Sequence, residues 1–134
     1  MSTAGLINLR SPCGPQDTLA RLENVIKAKG LTLFARIDHA QGAAEAGLTL
    51  RPTLLVIFGN ARGGTPLMQA AQTMGIDLPL KALVWEDAAR VTWLSYNDPQ
   101  WLAARHGVGA AVEGPLEALA AALAAIAAEA TSGN

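Results

Sequence analysis

The sequence predicts an α+β fold: a mostly antiparallel sheet in β-α-β-β-β-β-α order, with two long helices packed on one face. Three observations carry that prediction. Leu54-Leu55-Val56-Ile57-Phe58 is a continuous apolar run, as in a strand covered on both faces near the centre of a sheet. Leu31 to Asp38 alternates with period two, the signature of a half-buried strand. Two stretches, one opening at Pro15 and one at Pro115, repeat their apolar residues at helical spacing.

Taken in order, Leu6 to Arg10 reads as a short first strand, ended by Ser11-Pro12-Cys13-Gly14-Pro15. Pro15 suits the first helical position, where its missing N–H costs nothing. Leu19, Leu22, Val25 and Ile26 then share a face, Lys27 and Lys29 occupy the last turn, and Gly30 suits a left-handed C-cap. In the next strand Leu31, Leu33, Ala35 and Ile37 should lie beneath that helix. Phe34 and Arg36 then fall on the opposite face, which something else must cover. A short helix, Ala40 to Ala46, closes at Gly47, and Pro52-Thr53 leads into the central run.

Gly59-Asn60-Ala61-Arg62-Gly63-Gly64 reads as a loop, with Thr65 as N-cap and Pro66 as first residue of an inserted helix reaching Gly75. Leu80 to Glu86 is the fourth strand. Glu86-Asp87-Ala88-Ala89 allows only a hairpin, so Val91 to Tyr96 should pair antiparallel with it. Asp98-Pro99 starts a short helix ending at Gly107, and Leu116, Leu119, Leu123 and Ile126 form the seam of the last helix. The short helices thus fall between strands two and three and between three and four.

The chain has 134 residues, which fits one domain (1–134, core about 6–128). A net charge of −1 and the lack of any basic run exclude a nucleic-acid reading and give no pull toward an anionic membrane. A single cysteine, Cys13, excludes an internal disulfide and suits a reducing compartment. The opening residues show neither the basic segment nor the apolar core of a secretory signal, and the alanine-rich stretch carries Glu113, Glu117 and Glu129. The expectation is a cytoplasmic protein with no membrane span.

Two places could carry chemistry. His39, beside Asp38 at a strand end, has the make-up of a general base or an axial metal ligand, although Asp38 can equally N-cap the helix that follows. The glycine-rich turn from Gly59 to Thr65 can offer backbone N–H groups to an anion. It lacks the lysine of a nucleotide-binding phosphate loop, so a triphosphatase is not expected. Lys81, heading the fourth strand, could neutralise a ligand carboxylate or simply be solvated. Arg105-His106 reads as a cationic helix end, and Cys13 has no evident partner. With two histidines and one cysteine, a four-ligand structural zinc site is excluded. No Ser-His-Asp signature stands out in the sequence.

Several segments in one order resemble the domain of unknown function 302 family. They are Ile37-Asp38-His39, Gly47-Leu48, Leu50-Arg51-Pro52-Thr53, Phe58-Gly59-Asn60 and Gly64-Thr65-Pro66-Leu67-Met68. Asp77-Leu78-Pro79-Leu80-Lys81, Trp85-Glu86-Asp87 and Tyr96-Asn97-Asp98-Pro99 continue the match, from about Ile7 to Ile126. Ala61 departs from the family's usual proline, and Ala88-Ala89-Arg90 from its hairpin glycine. The resemblance implies a TATA-binding-protein-like fold and a homodimer, which would cover Phe34 and Arg36. It brings no DNA-binding role, because function lives in sites. The family's polar positions correspond to Asp38, His39, Asn60, Thr65 and Lys81.

The preferred expectation is a homodimeric small-ligand or cofactor-binding module. Its site, at the strand ends, would be lined by Asp38, His39, Phe58, Gly59, Asn60, Thr65 and Lys81. It would capture a small anionic or cofactor-like ligand, with haem or a metal on His39 as a variant. One alternative is a small-substrate enzyme using His39 as general base. The other is a structural or interaction protein. The shared premise is that the imidazole of His39 and the turn at Asn60 lie at one corner of the molecule.

Overall fold

The computed structural model describes residues 2–133. The chain forms five strands, β1 (Leu6–Ser11), β2 (Thr32–Asp38), β3 (Thr53–Gly59), β4 (Leu80–Glu86) and β5 (Thr92–Asn97), and five helices. The helices are α1 (Pro15–Ala28), α2 (His39–Glu45), α3 (Ala61–Ala70), α4 (Pro99–Arg105) and α5 (Glu113–Ala130), with 3-10 turns at Gln72–Ile76 and Ala110–Val112. The sheet order is β1-β5-β4-β3-β2, and every neighbouring pair is antiparallel. The predicted α+β class and the chain order of the strands and two long helices hold.

The core lies between the sheet and the two long helices. Leu19, Leu22 and Ile26 of α1 and Leu123, Ile126 and Ala127 of α5 bury themselves against Leu54, Val56, Phe58, Ala82, Val84, Leu94 and Tyr96. Burying each of the larger of these side chains contributes roughly 1.5–3 kcal/mol. β3 is apolar on both faces, but only Leu54, Val56 and Phe58 face the helices. Leu55 and Ile57 are half-buried on the other side.

The faces of β2 differ from the alternation read in the sequence. A bulge falls between Leu33, which pairs with Phe58, and Ala35, which pairs with Ile57. An extra residue in one strand shifts every later side chain to the other face. Arg36 consequently opposes Val56 on the helix side, and its guanidinium donates to Glu23 of α1 at 2.7 and 2.6 Å. These bonds and the carboxylate's charge push the Arg36 pKa above its already high value. Ala35 and Ile37 move to the uncovered face. A partner chain is therefore not needed to cover Arg36; α1 reaches it.

The third helix also differs. It begins at Ala61, five residues before the predicted first residue Pro66, because Asn60 rather than Thr65 is the N-cap. The Asn60 side chain accepts from the Gly63 N–H at 2.8 Å. Gly63, Gly64 and Pro66 thus sit inside a helix that their propensities oppose. A Cβ at Gly64 would stand 3.4 Å from Leu78 Cδ1, so this stretch of α3 packs closely on Leu78. α3 ends at Ala70, and a separate 3-10 turn carries the chain through Gly75.

The β4–β5 hairpin is fastened by Asp87. Its carboxylate accepts from Trp93 Nε1 at 2.9 Å and from the N–H groups of Val91 and Ala89 at 3.0 and 2.8 Å. The Trp93 bond, followed by these backbone donors, holds the Asp87 pKa below the usual carboxylate value. Since the folded-state pKa is the lower one, the stabilisation is complete above the ordinary aspartate range. It disappears as pH falls through that range toward the folded value. Asp87→Asn should therefore melt below the parent at neutral pH, with the gap closing in acid; a gap independent of pH in a melting series would contradict this role.

Candidate functional site

The cleft that the fold leaves open lies beside the core, where α3, α5 and the ends of β2, β3 and β4 meet. It encloses about 590 Å³. One wall is α3 and the turn before it, Gly59 to Pro66 with Met68. The facing wall is α5, through Pro115, Ala118, Leu119, Ala122 and Ile126. Leu31 and Phe34 close one side, and Leu78, Pro79 and Leu80 the other. Phe34, 54% exposed, owes its place here to the bulge, which keeps it on the helix side beside Leu33.

Gly59 and Asn60 make the turn that builds this wall. Gly59 has φ of 150°, a conformation that disfavours any side chain. Asn60 caps α3 twice, through its side chain to Gly63 and through its carbonyl to the Gly64 N–H at 3.3 Å. The N–H groups of Ala61 and Arg62 are left without intrahelical partners, as at any helix start. The lining carries one charge, the exposed cation Arg62, and no carboxylate. A cleft of this size, apolar with a few polar groups at one edge, has the make-up of a small-molecule site.

The residues expected at the site do not all meet. Gly59, Asn60 and Thr65 line the cleft, Thr65 from within α3. Phe58 does not: it points to the helix side of the sheet and is fully buried in the core. Lys81 pairs with Ile57 and shares its uncovered face of the sheet. Asp38 and His39 lie at the far end of β2. Thr32 pairs with Gly59 and Asp38 with Leu54, so the whole length of β3 separates His39 from Asn60. At strand rise that is roughly 20 Å. The premise of one shared corner is thereby corrected, and the reason is the antiparallel pairing itself. Asp38 spends its carboxylate on capping α2, accepting from the Gln41 N–H at 2.9 Å, and His39 is exposed.

Arg62 and the α5 residues escaped the sequence reading. A signal for the second existed: Pro115, Ala118 and Ala122 recur at three- and four-residue spacing, so one stripe of α5 is too small to fill the space before it. Among the described residues, no helix is long and apolar enough to cross a membrane. Nor does any group of three His, Cys, Asp or Glu among them converge as a metal site.

A family profile described as domain of unknown function DUF302 matches residues 7–126. The chain is 45% identical over 116 residues to a fluoride-specific ion channel FluC 1 of Brucella suis biovar 1 (strain 1330), a match covering 87% of this chain and 46% of that protein. A fluoride-specific ion channel FluC 2 of Brucella melitensis biotype 1 matches at the same identity over 87% of this chain and 43% of its own length. The chain thus spans less than half the length of these curated relatives. The crystal structure of an uncharacterized conserved protein DUF302 from Bacillus stearothermophilus superposes with a TM-score of 0.84. It is 19% identical and covers 96% of this chain and 99% of that one. At that identity the likeness speaks for the fold.

Removing the Asn60 cap should loosen the wall of the cleft. Asn60→Ala is expected to cost about 1 kcal/mol and Asn60→Asp much less, since aspartate caps equally well. Urea denaturation of the two variants checks this, and equal losses would refute the capping role.

Proposed function

The chain belongs to the DUF302 family of domains of unknown function, and on that footing we propose that it is a ligand-binding module for a small amphipathic acid. The cleft between α3 and α5 holds the apolar body, and the α3 N-terminus with Arg62 receives the acidic head. The observation that carries this reading is the cleft itself: about 590 Å³, apolar walls, a single cation and no acid. The helix dipole at Ala61 and Arg62 adds to the attraction for an anion. Arg62 takes the part first given to Lys81, which faces the other way. The expected homodimer remains part of the proposal. Its surface would be the uncovered sheet face, where Ile37, Leu55, Ile57, Leu83, Trp85 and Trp93 lie.

The enzyme alternative has less support. His39 is exposed, far from the cleft, and its neighbouring carboxylate is engaged as a cap.

Titration with cis-parinaric acid, a fluorescent fatty acid, tests the ligand reading. The parent should bind it saturably, and Ala122→Trp, which fills the cleft from α5, should abolish binding. Arg62→Glu should weaken the acid about fivefold relative to its methyl ester, the equivalent of roughly 1 kcal/mol for an exposed charge pair. Undiminished binding to the filled variant would sink the proposal.

A second reading rests on the relatives. Identity of 45% to part of two fluoride-specific ion channels favours a role beside such a channel. Fluoride itself is a poor occupant for the cleft, because a small hydrated anion loses its solvation in apolar walls. On this reading fluoride is the partner's cargo. Growth across a fluoride series should then be poorer in cells lacking this chain than in their parent; identical growth would count against it.

A further inference from the structure

Away from the cleft, three side chains distant in sequence meet on the α4 side of the molecule. Thr73 sits in the 3-10 turn Gln72–Ile76, Asp77 directly follows that turn, and His106 caps the C-terminus of α4. Thr73 Oγ1 lies 2.8 Å from His106 Nδ1, and His106 Nε2 lies 2.5 Å from Asp77 Oδ2. Arg105 Nη1 donates to both Asp77 oxygens at 3.1 and 3.0 Å and fixes the carboxylate. The histidine side chain is 8% exposed and that of Asp77 11%, whereas Thr73 is exposed.

The protons follow from this geometry. An ionised carboxylate only accepts, so Nε2 must carry a hydrogen. In the neutral imidazole Nδ1 is then an acceptor, and the partner it faces is the Thr73 hydroxyl. A solvent-accessible hydroxyl donates to a sheltered base, and a clamped carboxylate orients that base. Those are the three roles of an activated nucleophile, identified by geometry rather than by order in the chain. Fastening the 3-10 turn to α4 would need only the Asp77–Arg105 pair; the imidazole bonded to an exposed hydroxyl is unexplained by it.

We propose that Thr73, His106 and Asp77 form an acyl-transfer relay acting on small activated esters. Thr73 Oγ1 bonds to the acyl carbon while its proton passes to His106 Nδ1. The tetrahedral adduct collapses, the ester's C–O bond breaks, and the leaving alkoxide takes that proton. Thr73 is left as an acyl ester. Water attacks it with the same base, releasing a carboxylic acid and restoring the hydroxyl. Arg105, half exposed, keeps the Asp77 carboxylate in place against the imidazole. No oxidant, reductant or metal enters the balance.

The test uses p-nitrophenyl acetate and the whole chain. The parent should release p-nitrophenolate and carry one acetyl group on the peptide containing Thr73, located by mass spectrometry. Thr73→Ala changes an exposed side chain and should slow release by roughly a hundredfold, while Thr73→Ser should retain it. Asp77, the positioning residue, has its own readout: Asp77→Asn should lower kcat and leave KM unchanged. A parent that is not acetylated, a Thr73→Ala variant as fast as the parent, or acetyl groups found only on lysines or Cys13 would overturn the relay.

Discussion

The antiparallel register of β2 against β3 is the constraint on which the rest depends. It decides which end of the sheet each turn occupies. Asp38 pairs with Leu54 at one end and Thr32 with Gly59 at the other, so the histidine and the glycine turn are held apart by a full strand. The same register contains the bulge, and the bulge decides who covers whom. It brings Arg36 onto Glu23 of α1 and leaves Phe34 beside Leu31 at the edge of the cleft. A regular β2 would send Arg36 to the uncovered face, leave Glu23 buried without its cation and remove one wall of the cavity.

The second determinant is the competition between propensity and capping in α3. Two glycines and an internal proline oppose a helix there by several kcal/mol in sum. The Asn60 cap and the burial of Leu67 among Met74, Leu102 and Val112 offset them. The result is a helix held by its first turn and by its packing, with the helix's open N–H groups at the cleft.

Much of this was legible in the residues. Period two marked β2, a continuous apolar run β3 and a connection too short for anything but a hairpin the pairing of β4 with β5, while period 3.6 marked the two long helices. Pro15, Gly30, Gly47 and Gly107 marked their ends because each has a backbone conformation that its neighbours cannot easily adopt. What failed was non-local. A bulge at Phe34 leaves no trace in an alternating pattern, since Thr32 to Asp38 alternates as well with the extra residue as without it. The start of α3 was misplaced because Thr65-Pro66 is the stronger local signal, although Asn60, whose side chain caps Gly63, is itself a preferred N-cap residue. Gly59, Asn60 and Thr65 were found because they are adjacent in sequence. The cleft's other half on α5, and the meeting of Thr73 with His106, join segments dozens of residues apart. Chain order carries no record of that.

The cleft and the relay are not independent in construction. The segment from Gln72 to Leu80 serves both: Asp77 is tied by Arg105 and His106 to α4, and the next residues, Leu78 and Pro79, form a wall of the cavity. Leu78 in turn packs toward Gly64 of α3. The buried carboxylate therefore does more than pair with Arg105 and orient His106. By fixing the chain just before Leu78, it sets how far that side chain reaches toward α3, and so the width of the cleft that the Asn60 cap frames from the other side. A loss of the Asp77 contacts would be felt first at Leu78 rather than in the sheet, whose register is secured by backbone pairing from Leu80 onward.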